Sequence, residues 1–181
     1  MPLAQHTVVA LNRAAALVNT GVGEEQLPDA AALAPFVRSL GLTGHDTGEF
    51  SELSALRDLR AKLRTMWTAD EDALIRLANG LLLEPGPALQ LNRDTELRYS
   101  LRPVDAGSRL APFLAFEAAM AIADVLWAGE LSRLRTCQYP GCNRVGVDQS
   151  RNRSRRFCTG NCGNRASVAA YRLRKAPARV G

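Results

Sequence analysis

Four cysteines in the last third of the chain constrain its fold more than any other feature of the 181 residues. They fall as Cys137-x4-Cys142 and Cys158-x3-Cys162, and the sequence contains no other cysteine. Two close pairs, each on one turn, with a gap that lets the chain double back, form the spacing a tetrahedral zinc ion requires. Four thiolates leave no coordination position open to water or substrate, so such a site is structural and not catalytic. The alternative, a pair of disulfides, is disfavoured in a reducing compartment. The opening residues MPLAQHTVVALNRAAALVNT have no basic leader, and Arg13 interrupts their apolar run, so a cytoplasmic location is expected. His6 and His45 are far from the cysteines and are expected to be surface or core residues, not ligands.

Charge divides the chain at the same place. Residues 131–181 carry 12 Lys+Arg and one acid, Asp148, a net of +11, whereas residues 1–130 carry a net of −6. This split suggests a nucleic-acid-binding module attached to an ordinary globular domain. The bland alternative is a solvated basic tail, but the arginines interleave with the cysteine motif.

Residues 1–130 read as a mainly helical domain. A first helix is expected over Thr7–Asn19, stopped by Thr20-Gly21. A second is expected over Asp29–Leu40, closed by Gly41 and divided by Pro35. A polar loop, Thr43–Glu49, separates it from a third helix, Phe50–Thr68, with Leu53, Leu56, Leu63 and Trp67 on one face. Thr68-Ala-Asp-Glu71 has the form of a capping box that opens a fourth helix running to Leu82. After Glu84-Pro85-Gly86-Pro87 the apolar period changes to two, which predicts a β-hairpin over about 88–102 with Leu89, Leu91, Leu97, Tyr99 and Leu101 on one face. Pro103 ends it. The apolar run Ser108–Trp127 carries Glu117 and Asp124, too much charge for a membrane span, and reads as a core helix packed between the hairpin and the earlier helices. The stretch from Gly129 to Arg135 is the expected boundary with a second module, 131–181.

In that module, Gln138-Tyr139-Pro140-Gly141 is turn chemistry suited to a zinc knuckle. Val145 and Val147 predict one short strand and Arg155-Arg156-Phe157 a second, separated by the polar turn Asp148–Ser154. A helix capped by Thr159 or Asn161 is expected over Cys162–Lys175, with Cys162, Ala166, Ala169 and Leu173 resting on the metal and Phe157. Such a small unit folds only with the free energy of metal binding, of order 10 kcal/mol.

Four segments of the module, Cys137-Gln-Tyr-Pro-Gly-Cys142, Asp148-Gln-Ser150, Arg155-Arg156-Phe157-Cys158 and Cys162-Gly163-Asn164-Arg165, resemble the CGNR zinc finger, named for the last of them. The N-terminal half is similar to the ABATE domain at Leu17-Val18-Asn19-Thr20 and Leu56-Arg57-Asp58-Leu59-Arg60. The finger is less bulky than its relatives at Val145-Gly146-Val147 and has Phe157 where tryptophan is frequent, and the first helix has Ala14, Ala15 and Ala16 where the family tends to show larger or acidic residues. The resemblance implies a mainly α domain with a small hairpin, followed by a treble-clef-like or ribbon zinc finger with four cysteine ligands. It also implies one structural Zn2+ on Cys137, Cys142, Cys158 and Cys162, and a stress-related regulator of transcription.

Arginine matches phosphate in a bidentate fork and can read guanine in the major groove. Arg151, Arg153, Arg155 and Arg156 suit phosphate contacts, and Arg165, Arg172, Arg174 and Lys175 suit bases or backbone. Few aromatic residues are available for single-strand stacking, which favours double-stranded DNA. One finger reads few base pairs, so a homodimer through the helical domain is expected. Arg60, Arg98, Arg102 and Asn19 are candidates for an effector's anion pocket; surface salt bridges and a helix cap are the simpler account. The helical domain holds no catalytic constellation, so no enzyme is expected. The alternative function is a zinc-scaffolded module that binds protein or RNA.

Overall fold

The computed structural model describes residues 3–42, 45–46, 50–84, 88–93, 99–103 and 108–175. Six α-helices and three two-stranded sheets account for most of them. Helix α1 spans Gln5–Asn19, α2 Leu33–Ser39, α3 Phe50–Arg64, α4 Glu71–Leu83, α5 Leu110–Trp127 and α6 Cys162–Lys175.

Helix α5 is the centre. Its buried residues, among them Leu110, Phe113, Leu114, Ala118, Ile122 and Val125, surround the axis, so it is covered by α1, α3 and α4. It is long and apolar enough to cross a membrane by composition alone, but more than half of it is buried inside the protein. Two acids tie it to α1: Glu117 accepts from Arg13 Nη1 at 2.6 Å, and Asp124 accepts from the Thr7 hydroxyl at 2.5 Å. Asp124 also contacts His6 Nε2 at 3.1 Å, which places His6 on the surface. The start of α5 is capped from another helix. The buried Glu52 of α3 accepts from Ala111 N at 2.7 Å, where its negative charge also meets the positive end of the α5 dipole.

The helices follow their expected spans with local corrections. Helix α1 begins at Gln5, two residues before Thr7, and ends at Asn19 with Thr20 as its cap, as expected. A Cβ at Gly21 would meet the Arg60 guanidinium at 2.9 Å. The second helix divides before Leu33 and not at Pro35: a 3₁₀ turn at Ala30–Ala32, capped by Asp29, leads into α2, and Pro35 falls in its first turn, where its missing N–H costs nothing. Gly41 closes it with φ +67°. The fourth helix starts at Glu71, and its cap is Asp70, which accepts from Ala73 N at 2.8 Å, not Thr68. A 3₁₀ turn at Thr65–Trp67 extends α3, and the Thr68 hydroxyl turns back toward Thr65 O, so it is consumed before α4 begins.

Strands β2 (Leu89–Arg93) and β3 (Tyr99–Pro103) form the expected antiparallel hairpin, with Leu91 opposite Leu101. Its turn, with Leu97 and Arg98, lies outside the described residues. Its apolar face is not buried by α5 along its length: Leu89 packs on the core, but Leu91 is 66% exposed. Two further short strands, β1 (His45–Asp46) and β4 (Ser108–Arg109), pair in parallel, so the helix expected from Ser108 starts at Leu110. The rest of the Thr43–Glu49 loop lies outside the described residues, as does the His45 side chain.

Strands β5 (Leu134–Thr136) and β6 (Val145–Val147) form the hairpin of the cysteine module. The expected partner of β6, Arg155-Arg156-Phe157, is not a strand. Its one ladder-like bond is Gln138 N to Arg156 O at 2.9 Å. Leu134 supplies the apolar residue that the segment 155–157 lacks on that side, and it pairs with Val147. The β5–β6 hairpin lies against α1, and Leu134, Val145 and Val147 join the same core as the helices.

Candidate metal centre

The four cysteine sulfurs lie within 4.8 Å of one another. Cys142 Sγ and Cys158 Sγ are 4.0 Å apart, far beyond a disulfide bond and close to the roughly 3.8 Å edge of a tetrahedron with Zn–S bonds of about 2.3 Å. The donor set therefore fits one structural zinc with no position left open.

Local structure explains how each ligand arrives. The knuckle turns at Gly141, φ +76°, where Cys142 N bonds to Tyr139 O at 2.9 Å. Backbone N–H groups then face the sulfurs. Cys158 N donates to Cys137 Sγ at 3.4 Å. Burial opposes ionisation of Cys137, but the N–H groups of Cys158 and Tyr139 outweigh it and bring the thiol down to about 7. Burial pushes the Cys162 thiol up to about 12, so this ligand would need the charge of a bound metal to ionise. Cys162 is also the first residue of α6, where the helix dipole favours a thiolate. Asn161 precedes the helix, and its carbonyl accepts from Arg165 N at 3.0 Å.

Asp148, the single acid of the module, is its polar hub. It is fully buried and accepts from Ser150 N at 2.8 Å, the Ser150 hydroxyl at 2.5 Å and Arg155 N at 2.8 Å. Burial alone would raise its pKa, but these donors and the charge of Arg135 hold it below its ordinary value. The loop between the two cysteine pairs is thus built around one carboxylate. A second carboxylate, the buried Glu130, ties that loop to the end of α5. It accepts from Arg133 Nε and Arg153 Nη2, both at 2.7 Å. Arg153 has φ +51°, a left-handed conformation uncommon for a non-glycine residue, and its bond to Glu130 helps to hold it there.

The finger is fixed to the helical domain by specific bonds. The Asn19 side chain at the end of α1 donates to Val145 O and accepts from Val145 N, both at 2.9 Å, as if it were another strand. Trp67 Nε1 donates to Gly146 O at 2.9 Å, and Arg64 Nη2 donates to Asn143 O at 2.9 Å. Ala15 and Ala16 of α1 line the same junction as Val145, Gly146 and Val147, so the small residues on both sides allow the hairpin to approach the helix closely.

The basic residues expected to meet nucleic acid fall into two groups. Arg151, Arg172 and Arg174 are exposed and have no ion pair among the described residues. The others have neighbours. Arg153 pairs with Glu130, Arg155 Nε donates to Phe157 O at 3.3 Å, and Arg156 Nε donates to Gln138 Oε1 at 2.9 Å. Arg165 lies over the Tyr139 ring at 4.5 Å and Lys175 over Tyr171 at 5.1 Å. Helix α6 does not rest on the metal along its length. Cys162 is buried and Ala166 half-buried, but Ala169, Val168 and Tyr171 are exposed; the Leu173 side chain lies outside the described residues. Beyond its first turn, no element among the described residues packs closely on it.

Among the described residues, the candidates for an anion pocket around Arg60 follow the simpler account. Arg60 makes two bonds to Glu25, at 2.8 and 2.7 Å, and one to the Thr20 hydroxyl at 3.1 Å, while Asn19 serves Val145. Arg98 and the Arg102 side chain lie outside the described residues. Residues that sequence reasoning did not single out are Glu130, Arg133 and Tyr139, together with Arg135 and Arg144 beside the knuckle. The one available signal was Asp148-Gln-Ser150, the sequence of an Asx turn, within an otherwise acid-free segment.

Residues 133–175 match the CGNR zinc finger and residues 11–129 match the ABATE family, described as "Putative stress-induced transcription regulator". No curated protein matches the chain closely enough to count as a relative. The ordered helical bundle, the four-sulfur centre that ends it and a match over more than half of the length lead to one statement: the chain belongs to the ABATE family and carries a CGNR zinc finger at its C-terminal side.

Proposed function

We propose that this chain is a DNA-binding transcription regulator, and not an enzyme, that acts in the cytoplasm at the nucleoid. The observation that carries this reading is the exposed, basic α6 held at its N-terminal end by the metal centre. Arg172, Arg174 and Lys175 lie on a helix that touches little else, a form suited to entering a major groove. Arg151, exposed on the loop that precedes the second cysteine pair, supports the reading as a candidate for phosphate contact. Tyr139 and Phe157 are each engaged by an arginine, which leaves few free rings for stacking single strands.

The helical domain is proposed to dimerise and present two fingers to two half-sites. Adjacent helices α4 and α5 each bear an exposed apolar pair seven residues apart: Ile75 and Leu82, and Met120 and Trp127. Light scattering of the zinc-loaded protein is expected to give a dimer, and Leu82→Glu a monomer; a monomeric parent refutes this part.

The function is tested by titrating salt against binding to duplex DNA and to RNA. With six phosphate contacts, DNA affinity falls about 10³-fold between roughly 50 and 200 mM salt. A flat response, or preference for RNA, favours the zinc-scaffolded interaction module instead.

A further inference from the structure

A cavity of about 190 Å³ opens at the junction of α1 and the finger. Ala15 and Ala16 of α1 form one apolar wall and Phe157 another. Four arginines line it: Arg135 of β5, Arg144 just before β6, and Arg155 and Arg156. No aspartate or glutamate lines it. Arg135 is held beside it by a bond from its Nη2 to Arg153 O at 3.3 Å.

The charge balance points the same way. Zinc on four thiolates carries a formal −2, and Cys137 and Cys158 form part of the cavity wall. Asp148, which Arg135 stabilises, adds −1. Against four arginines this leaves one positive charge uncompensated. The size of the cavity and its apolar walls suit a small molecule, not a continuing chain.

We propose that this cleft is a binding site for a small organic monoanion, a carboxylate with a compact apolar body. The carboxylate sits among Arg135, Arg144 and the Arg155–Arg156 pair, and the body lies between Ala16 and Phe157. This site does not depend on the DNA-binding reading. If that reading holds, the cleft is where an effector acts, because its two walls belong to the helical domain and the finger. It replaces the pocket around Arg60, where Glu25 already occupies the guanidinium.

The test is calorimetric titration of the zinc-loaded full chain, without DNA, using benzoate, acetate and benzamide at matched ionic strength. Benzoate is expected to bind with a Kd of about 1 mM or tighter. Acetate, lacking the apolar body, and benzamide, lacking the charge, should each bind at least about tenfold more weakly, a difference of about 1.4 kcal/mol. Arg144→Gln removes a charge, and Ala16→Leu fills the cleft while leaving every charge in place; both should weaken benzoate at least tenfold. No heat with benzoate, or equal binding of benzoate and benzamide, overturns the proposal. So does an Ala16→Leu variant that binds benzoate normally, which would indicate diffuse surface attraction. If Arg144→Gln instead loses zinc and the parent binds no benzoate, the arginines serve only to neutralise the thiolates. A duplex that displaces benzoate while Arg144→Gln lowers the salt slope of DNA binding assigns the cleft to a DNA phosphate and refutes a small-molecule site.

Discussion

Removing zinc is expected to destabilise the helical domain as well as the finger. The β5–β6 hairpin keeps its shape through the metal centre, and its Leu134, Val145 and Val147 are buried in the common core, 3–8% exposed. Burying each such side chain is worth roughly 1.5–3 kcal/mol. The bonds from Asn19, Trp67 and Arg64 to the finger backbone number four and contribute about 1 kcal/mol each. The junction thus holds on the order of 10 kcal/mol, comparable to the whole stability of an ordinary domain. If even half is lost with the metal, a chain of this size loses roughly 10–20 °C in Tm. Trp67 is 7% exposed and Trp127 is 80% exposed, so Trp127→Phe leaves one buried indole at the junction as a reporter. In that variant, chelation under reducing conditions should shift tryptophan emission to longer wavelength and lower the thermal midpoint of the helical signal together. Metal loss that leaves both the emission and the midpoint within about 2 °C of the holoprotein refutes the reasoning and makes the finger an independent appendage.

Three further outcomes follow from particular side chains. Asn19→Ala leaves the Val145 N–H and C=O without partners and should cost about 3 kcal/mol, or roughly 6–12 °C in a thermal melt; a change under 2 °C refutes the clamp. Arg153→Ala breaks the Glu130 latch and should lower Tm while leaving the salt slope of DNA binding intact. Arg172→Ala and Arg174→Ala should each reduce that slope by about 1 with Tm unchanged, and the reverse pattern would exchange their roles. Hydrogen bonding from Arg60 holds Glu25 down at about 2 against an ordinary 4.5, so the pair stabilises the fold above pH 4.5 and that contribution drains away as pH falls toward 2. With the Glu25 side chain 37% exposed, screening limits the effect to about 1 kcal/mol. Glu25→Gln should flatten the stability profile in that window, and parallel profiles for parent and variant refute the assignment.

The metal centre was legible in the sequence because coordination is written in ligand identity and local spacing: the cysteines name themselves. Helix positions were legible for the same reason, since apolar periodicity and Gly41 act within a few residues. What was hidden depends on partners far apart in the chain. Glu52 caps a helix that begins 58 residues later. Asn19 pairs with a strand 126 residues away. The sequence favours 155–157 as the partner of β6 because that segment leads into Cys158, while the true partner begins at Leu134, inside a stretch that reads as a linker. Thr68 and Asp70 both satisfy the rules for a helix cap, and only the extra 3₁₀ turn of α3 decides between them. The separate roles of the arginines were hidden too. Arg153 and Arg151 look alike in sequence, and Glu130, at the end of another element, is what distinguishes them.

Because the hairpin is bonded to the end of α1, α6 behaves as a lever whose fulcrum is the metal. Its 14 residues extend about 21 Å. A tilt of about 10° at the knuckle swings the far end by roughly 4 Å, about one base-pair step along a duplex. If α6 enters a groove as proposed, a tilt of that size would move Arg172 and Arg174 by about one base-pair step relative to the duplex.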